Sequence, residues 1–311
     1  MQKLPANFAN SANLGIHLKL LAMALMWGAS WPAGRVLAQA ASPMQNSAWR
    51  FTIAVAILLM WLYFSTHNGK SRGFPSVTRK QMLGIFAGGL IGIFGYTYCF
   101  MVGLLNVPAG RGSLVVTFNP VLTTLLAAWL FHEKFNPKIG FGMVMAVLGS
   151  LIVLTHGEPM KFFAGGFSGA EIILLGCAIC WSSYALIGKV TMQGLAPLTA
   201  TTYNACVGVV FLWIVSWWTE PFIALNAQPN DVFWTIVFLA IASTVLAYAW
   251  YFEGIDRLGA GTASAYISLV PVFGVLTAWL WLNEPIDASL AIGGAIAVAG
   301  VLWMNAVRAK T

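Results

Sequence analysis

Hydroxyl and small residues recur at three- and four-residue steps along two apolar segments. Gly110, Ser113, Thr117, Pro120 and Thr124 mark one, and Gly261, Ser264, Ser268 and Pro271 mark the other. Such steps place side chains on one face of a helix. Each segment is apolar enough to span a bilayer, and each is interrupted by its proline, which removes a helical hydrogen bond. In lipid the freed carbonyl is tolerated where neighbours or a cavity satisfy it. Close helix packing explains small residues equally well. The chemistry on offer is reversible hydrogen bonding to a guest. No nucleophile, base and orienter converge along these segments, so bond making is not indicated.

Aromatic residues add to the pattern. Trp27, Trp31, Tyr96, Tyr98, Trp181, Tyr184, Tyr248 and Tyr251 fall well inside apolar runs. Buried indole N–H and phenol O–H groups need partners. A backbone carbonyl can serve, or a cavity suited to an amphipathic organic molecule. Trp213, Trp217 and Trp218 read instead as an interfacial belt. Seven charges lie within a few turns of a predicted helix end: Arg35, Arg50, Arg111, Glu171, Lys189, Glu253 and Arg257. Snorkelling accounts for any of them. The functional reading joins Arg35, Arg50 and Arg111 into a basic mouth for a carboxylate, with Lys189 and Arg257 on the opposite side. No acid occupies the middle of any apolar run, which argues against a proton-coupled cation pump. Glu253 is the deepest acid and the first candidate for any coupling role.

Other chemistries are excluded by spacing. Cys177-x-x-Cys180 has no second ligand pair, and the four histidines share no ligand spacing, so no metal and no cofactor are expected. Gly110-Arg111-Gly112-Ser113 lacks the spacing and the Lys-Ser/Thr ending of a phosphate-binding loop.

The elements that position these residues follow from composition. Of 311 residues, 59% are hydrophobic and 8% charged, against about 25% charged in soluble domains. The chain reads as an all-α integral membrane protein embedded in a lipid bilayer. A spanning helix needs about 20 apolar residues. Ten such runs are predicted, at 16–38, 46–65, 80–103, 109–131, 138–155, 167–190, 199–218, 231–254, 260–282 and 288–307. The net charge of +7 does not signal nucleic acid, because the basic residues sit between the runs. With the N-terminus inside, only Arg35, Arg50, Arg111 and Lys161 of the 16 Lys and Arg residues fall on the outer side. That asymmetry predicts cytoplasmic termini. Met1–Asn13 carries no signal-peptide pattern.

The sequence is also written twice. At an offset of 151 residues, Ala109-Gly110, Ser113, Pro120, Glu133, Gly142 and Gly149 answer Ala260-Gly261, Ser264, Pro271, Glu284, Gly293 and Gly300. At an offset of 154, Trp27, Arg35 and Pro43 answer Trp181, Lys189 and Pro197. Residues 1–157 and 158–311 are therefore expected to form two five-helix repeats. Five is odd, so the second copy enters the membrane from the opposite side. Two inverted five-helix repeats with paired, interrupted helices are the plan of alternating-access carriers, whose site lies at the repeat interface. A membrane enzyme or receptor needs no such symmetry.

These residues resemble the drug/metabolite transporter superfamily, and specifically its ten-helix EamA-type members. The resemblance rests on Trp27-Gly28-Ala29-Ser30, on Trp49-Arg50-Phe51, and on the Pro120-to-Glu133 and Pro271-to-Glu284 segments with Gly149 and Gly300 after them. It implies a secondary carrier of the bacterial inner membrane with a central cavity among helices one to four and six to nine. Helices five and ten would be peripheral. Small multidrug members carry a glutamate in their first helix, but Leu20 to Ala33 holds no acid. Plastid-type phosphate exchangers use paired basic residues at mid-depth, whereas here the basic residues lie near helix ends. The resemblance implies amino acids or related metabolites as solutes, moved outward, and the carrier is expected to be a monomer. The residues themselves imply a small amphipathic solute bound by Trp27, Tyr96, Tyr98, Trp181, Tyr184 and Tyr248 with Ser113, Thr117, Ser264 and Ser268. Together they suggest aromatic or large aliphatic amino acids. The alternatives are an organic-anion or phosphate-ester exchanger and a broad-specificity drug efflux carrier.

Overall fold

The computed structural model describes residues 6–65, 73–131, 137–158, 168–191 and 193–308. Among them, ten helices are long and apolar enough to cross a bilayer. They are α1 (Leu14–Gln39), α2 (Pro43–Phe64), α3 (Arg79–Leu104), α4 (Ala109–Leu130), α5 (Pro137–Leu154), α6 (Gly169–Thr191), α7 (Pro197–Thr219), α8 (Asn230–Leu258), α9 (Thr262–Leu282) and α10 (Ala288–Val307). The ten runs expected from the sequence are these helices, with ends moved by four residues at most. Glu133 and the basic residues Lys3, Lys70, Arg72, Lys134, Lys161 and Lys310 lie outside the described residues.

Local signals set the helix ends. α2 and α7 open on Pro43 and Pro197, where the missing N–H would have no helical partner anyway. α3 begins with a reciprocal capping box between Thr78 and Gln81. Gly259, at φ 85°, turns the chain from α8 towards α9 in a conformation that L side chains rarely adopt.

Four helices depart from regular geometry. α3 and α8 each widen into π-helical turns, at Gly89–Gly95 and Leu239–Leu246. α4 tightens into a 3₁₀ segment at Leu114–Thr117 and restarts at Phe118. α9 halts after Ile267 and restarts at Val270. Pro120 and Pro271 therefore stand in the first turn of a restarted helix, where a missing N–H is least costly. The residues four positions earlier, Val116 and Ile267, are those whose carbonyls a proline leaves without a helical donor.

Between helices in lipid, association rests on close packing and hydrogen bonds rather than on water exclusion. α5 and α10 meet along a glycine seam. A Cβ at Gly149 would lie 2.5 Å from the carbonyl oxygen of Gly293, and one at Gly142 would lie 2.7 Å from that of Gly300. The two glycines of one helix thus meet the two of the other in crossed order, each touching not its own counterpart along the sequence but its neighbour's. α1 packs on α8 and α9, α6 packs on α3 and α4, and α2 packs on α7. Each pairing has its counterpart when helix n is exchanged for helix n + 5. Trp217 and Trp218 are exposed, as a belt requires, at 75% and 82%. Trp213 is not part of that belt. Its indole N–H donates to Thr52 Oγ1 at 2.9 Å, and its ring meets Trp49 edge-on, joining α7 to α2.

Candidate functional site

A cavity of about 480 Å³ lies between the two halves. Pro120, Thr117 and Thr123 of α4, Trp181 and Tyr184 of α6, Tyr248 and Tyr251 of α8, and Ser264, Ser268 and Pro271 of α9 form its wall. The cavity reaches the helix ends at Gly188, Leu195 and Pro197. At its other end adjoins a smaller chamber of about 110 Å³, lined by Trp27, Ser30, Arg50, Tyr96, Ser243 and Thr244. Val116, Asn119, Trp181, Thr201, Tyr248 and Ile267 border both spaces. Both residues freed by the prolines, Val116 and Ile267, are in this shared wall.

The aromatic rings form one connected set. Trp27 meets Tyr248 and Trp181 edge-on at 5.3 and 6.4 Å between ring centroids, and Tyr251 at a tilt at 5.5 Å. Trp181 continues the set to Tyr96 at 6.2 Å and Tyr184 at 6.1 Å. Edge-to-face contacts of this kind add to the stabilisation from burial alone. The π turn of α8 fixes one end of the set. Trp27 Nε1 donates to the Ser243 carbonyl at 3.0 Å, and Ser243 Oγ donates back to the Met26 carbonyl at 3.0 Å. The same turn presents Thr244, whose Oγ1 accepts from Arg50 Nη2 at 3.2 Å.

Beyond the small chamber the helices close. Trp31, Phe100, Leu104 and Leu174 are buried together. Past them, Glu284 accepts from the backbone N–H groups of Ala109 and Gly110, both at 2.8 Å, and lies 3.5 Å from Arg35 Nε. A glutamate after α9 thus caps the N-terminus of α4, where the helix dipole favours an anion. Glu220, after α7, caps α2 in the same way through Met44 and Gln45 at 2.9 and 2.8 Å. Arg111, itself buried, pairs with Asp287 and also donates to the Val153 carbonyl. The Asp287 carboxyl is held below its ordinary range, chiefly by the Ser289 hydroxyl. The Leu290 N–H, Arg111 and His156 act in the same direction, and slight burial opposes them.

The sequence matches the EamA-like transporter family twice, over residues 14–155 and 168–306. The chain belongs to the EamA-like transporter family. It is 31% identical to the transporter YyaM of Bacillus subtilis (strain 168), an uncharacterized protein, over 95% of both chains. It is 23% identical to a probable terminal-alkyne amino-acid exporter of Streptantibioticus cattleyicolor, over 92% of both. A solved crystal structure shares the fold at a TM-score of 0.62 and 19% identity, covering 95% of this chain and 98% of that one. This EamA-like protein is a small-molecule transporter, not an enzyme.

The structure brings together Trp27, Tyr96, Thr117, Trp181, Tyr184, Tyr248, Ser264 and Ser268 around the two spaces, with Pro120 and Pro271. It leaves others out. Tyr98 is 45% exposed and lies near Phe94, since two residues along a helix from Tyr96 is nearly the opposite face. Ser113 is buried in the α4–α9 contact, where its Oγ bonds the Gly110 carbonyl and its Cβ fills the space a Cβ on Gly274 would need. Arg35, Arg50 and Arg111 do not converge. Two are tied to acids at the closed face, and Arg50 lies deeper, in the small chamber. Lys189 is exposed at the end of α6, and Glu253 is bound by Lys19 at 2.8 Å away from the cavity wall. Asn119, Thr123, Thr201 and Asn305 were not legible as wall residues. Asn119 immediately precedes Pro120, and that adjacency is the one signal that marked it.

Proposed function

We propose that this protein exports amino acids with aromatic or large aliphatic side chains across the bacterial inner membrane, as a monomer working by alternating access. One observation carries the reading. An aromatic-walled cavity runs between the halves, reaches one face at Gly188, Leu195 and Pro197, and is closed towards the other by Glu284 and Glu220. Its size falls within the range typical of small-molecule sites. Two inverted five-helix repeats, residues 1–157 and 158–311, are supported by the double family match and by helix pairings that survive exchange of n for n + 5. With cytoplasmic termini, the open end faces the cytoplasm. The name of the Streptantibioticus relative supports amino acids as the solute class. The cavity wall supports an apolar side chain beside a few polar groups.

The test is counterflow and efflux in proteoliposomes loaded with labelled phenylalanine, leucine or a small polar amino acid. Saturable exchange of the first two, with the polar one several-fold slower, is the expected result. No exchange of any amino acid would overturn the solute class. An organic-anion exchanger is the second reading, favoured by the cationic Arg50 in the chamber, and exchange of an aromatic carboxylate without exchange of amino acids would select it.

A further inference from the structure

Three arginines lie on α1, α2 and α4, and among the described residues only one is without an acid. Arg35 has Glu284 and Arg111 has Asp287. Among the described residues Arg50 has one side-chain hydrogen bond, to the Thr244 hydroxyl, and its guanidinium lies 4.8 Å from the centroid of the Phe51 ring. Its Nε is buried with no partner among the described residues. A guanidinium carries five N–H donors in a fixed fork. A cation enclosed by aromatic and aliphatic groups is costly unless an anion reaches it. The chamber wall around it offers Ser30, Tyr96, Asn119, Thr244 and Tyr248. Those groups hydrogen-bond, but none neutralises the charge.

We propose that Arg50 is the anchor for the carboxylate of the transported solute. The fork takes the two carboxylate oxygens side by side, a geometry that lysine cannot reproduce. With the carboxylate at Arg50, an apolar side chain extends from the chamber into the larger cavity past Trp181 and Tyr248, which border both spaces. The anchor thus selects the charged end of the solute and the rings select its bulk. It also disfavours cationic solutes, which meet a like charge with no acid beside it. Thr244 positions the guanidinium, so the π turn of α8 is part of the specificity device. The inference rests on the small-solute transport reading and names the group by which that solute is recognised.

Binding to purified wild type by isothermal titration calorimetry tests it, with L-phenylalanine, L-phenylalaninamide, 3-phenylpropionate and phenyl phosphate as probes. Both carboxylates are expected to bind about tenfold or more tighter than the amide, the loss typical of one charge-assisted contact. Arg50→Gln should erase that difference by weakening the carboxylates, while the amide, freed of a like charge, binds as well as before or better. Arg50→Lys should restore part of it. Equal binding of acid and amide by wild type overturns the proposal, as does a variant that weakens both alike. Failure of both carboxylates to bind overturns it too. Tighter binding of phenyl phosphate than of either carboxylate overturns the carboxylate assignment in favour of a phosphate-bearing solute. Binding of 3-phenylpropionate without phenylalanine leaves Arg50 in place and removes the amino-acid reading instead. If Arg50→Gln does not fold, the acid-to-amide ratio of wild type and Arg50→Lys decides the matter.

Discussion

The closed face and the cavity are built from the same residue types used in opposite ways. At the closed face, Arg35, Arg111, Glu284, Asp287 and Glu220 all bond to protein groups, and two of the acids cap helices from the other half of the chain. In the cavity wall, arginine, hydroxyls and ring edges face open space. Polar groups joined to each other hold two helices together. Polar groups left facing a cavity hold a guest. The contrast shows why a count of intramembrane charges does not locate a site: Arg35 and Arg50 look alike in sequence, yet one is a strut and the other borders the chamber.

The largest expected effect comes from breaking the closed side of this comparison. Glu284→Gln keeps the shape but removes the charge that holds two backbone N–H groups and Arg35. Hydrogen bonds to a charged group contribute roughly 1.5–3 kcal/mol. A loss of about 2 kcal/mol shifts a two-state balance by roughly 30-fold. In a background with Cys99, Cys177, Cys180 and Cys206 replaced, a cysteine at Ser30 would report access to the small chamber. Glu284→Gln should speed its labelling by an impermeant thiol reagent applied from the closed face, by about tenfold or more, and slow transport. Unchanged labelling would mean that the glutamate caps a helix and does not gate. The repeat offset pairs Glu284 with Glu133, so Glu133→Gln should shift access the other way.

Much of this contrast was legible beforehand, and the remainder has identifiable causes. Ten spans were readable because lipid demands long apolar runs. The prolines marked the helix breaks because their ring chemistry is local. The wall residues Trp27, Trp181 and Tyr248 were readable as aromatics placed mid-span. The grouping of the arginines was not, because it depends on which acids reach them: Glu284 comes from after α9 and Asp287 from the turn before α10. The π turns of α3 and α8 left no residue-type signature either, although Gly89–Gly95 and Leu239–Leu246 occupy nearly equivalent places in the two halves. They matter because one of them sets Thr244 against Arg50.

An intermediate effect tests the cavity side. Trp181 borders both spaces and touches Trp27, Tyr96 and Tyr184. Trp181→Ala removes the ring that joins the set. An aromatic pair contributes about 0.5–1.5 kcal/mol beyond burial. The affinity for phenylalanine should therefore fall by about tenfold, with a smaller loss for leucine. Measured KM values for the two solutes check this. An equal loss for both would show that Trp181 shapes the protein rather than contacting the side chain, and the two regions would then differ less than their geometry suggests.

The smallest effect concerns pH, and it separates the two regions by what does not happen. The Asp287 carboxyl is depressed in the folded protein, first by Ser289 and further by Leu290, Arg111 and His156. A depressed carboxylate stabilises the fold above its unfolded value, near 3.8, and that contribution is lost as pH falls through the lower folded value. The Arg111–Asp287 pair should therefore stay intact from pH 8 down to pH 5. Labelling of the Ser30 cysteine from the closed face should be flat over that range, once corrected for thiolate ionisation of the reporter. Asp287→Asn should raise it only a few-fold, because Arg111 keeps the Val153 carbonyl and Ser289. A step in wild-type labelling between pH 5 and pH 8 that Asp287→Asn abolishes would show that this pair titrates in the working range. The closed face would then be a proton-sensitive gate rather than a fixed lock.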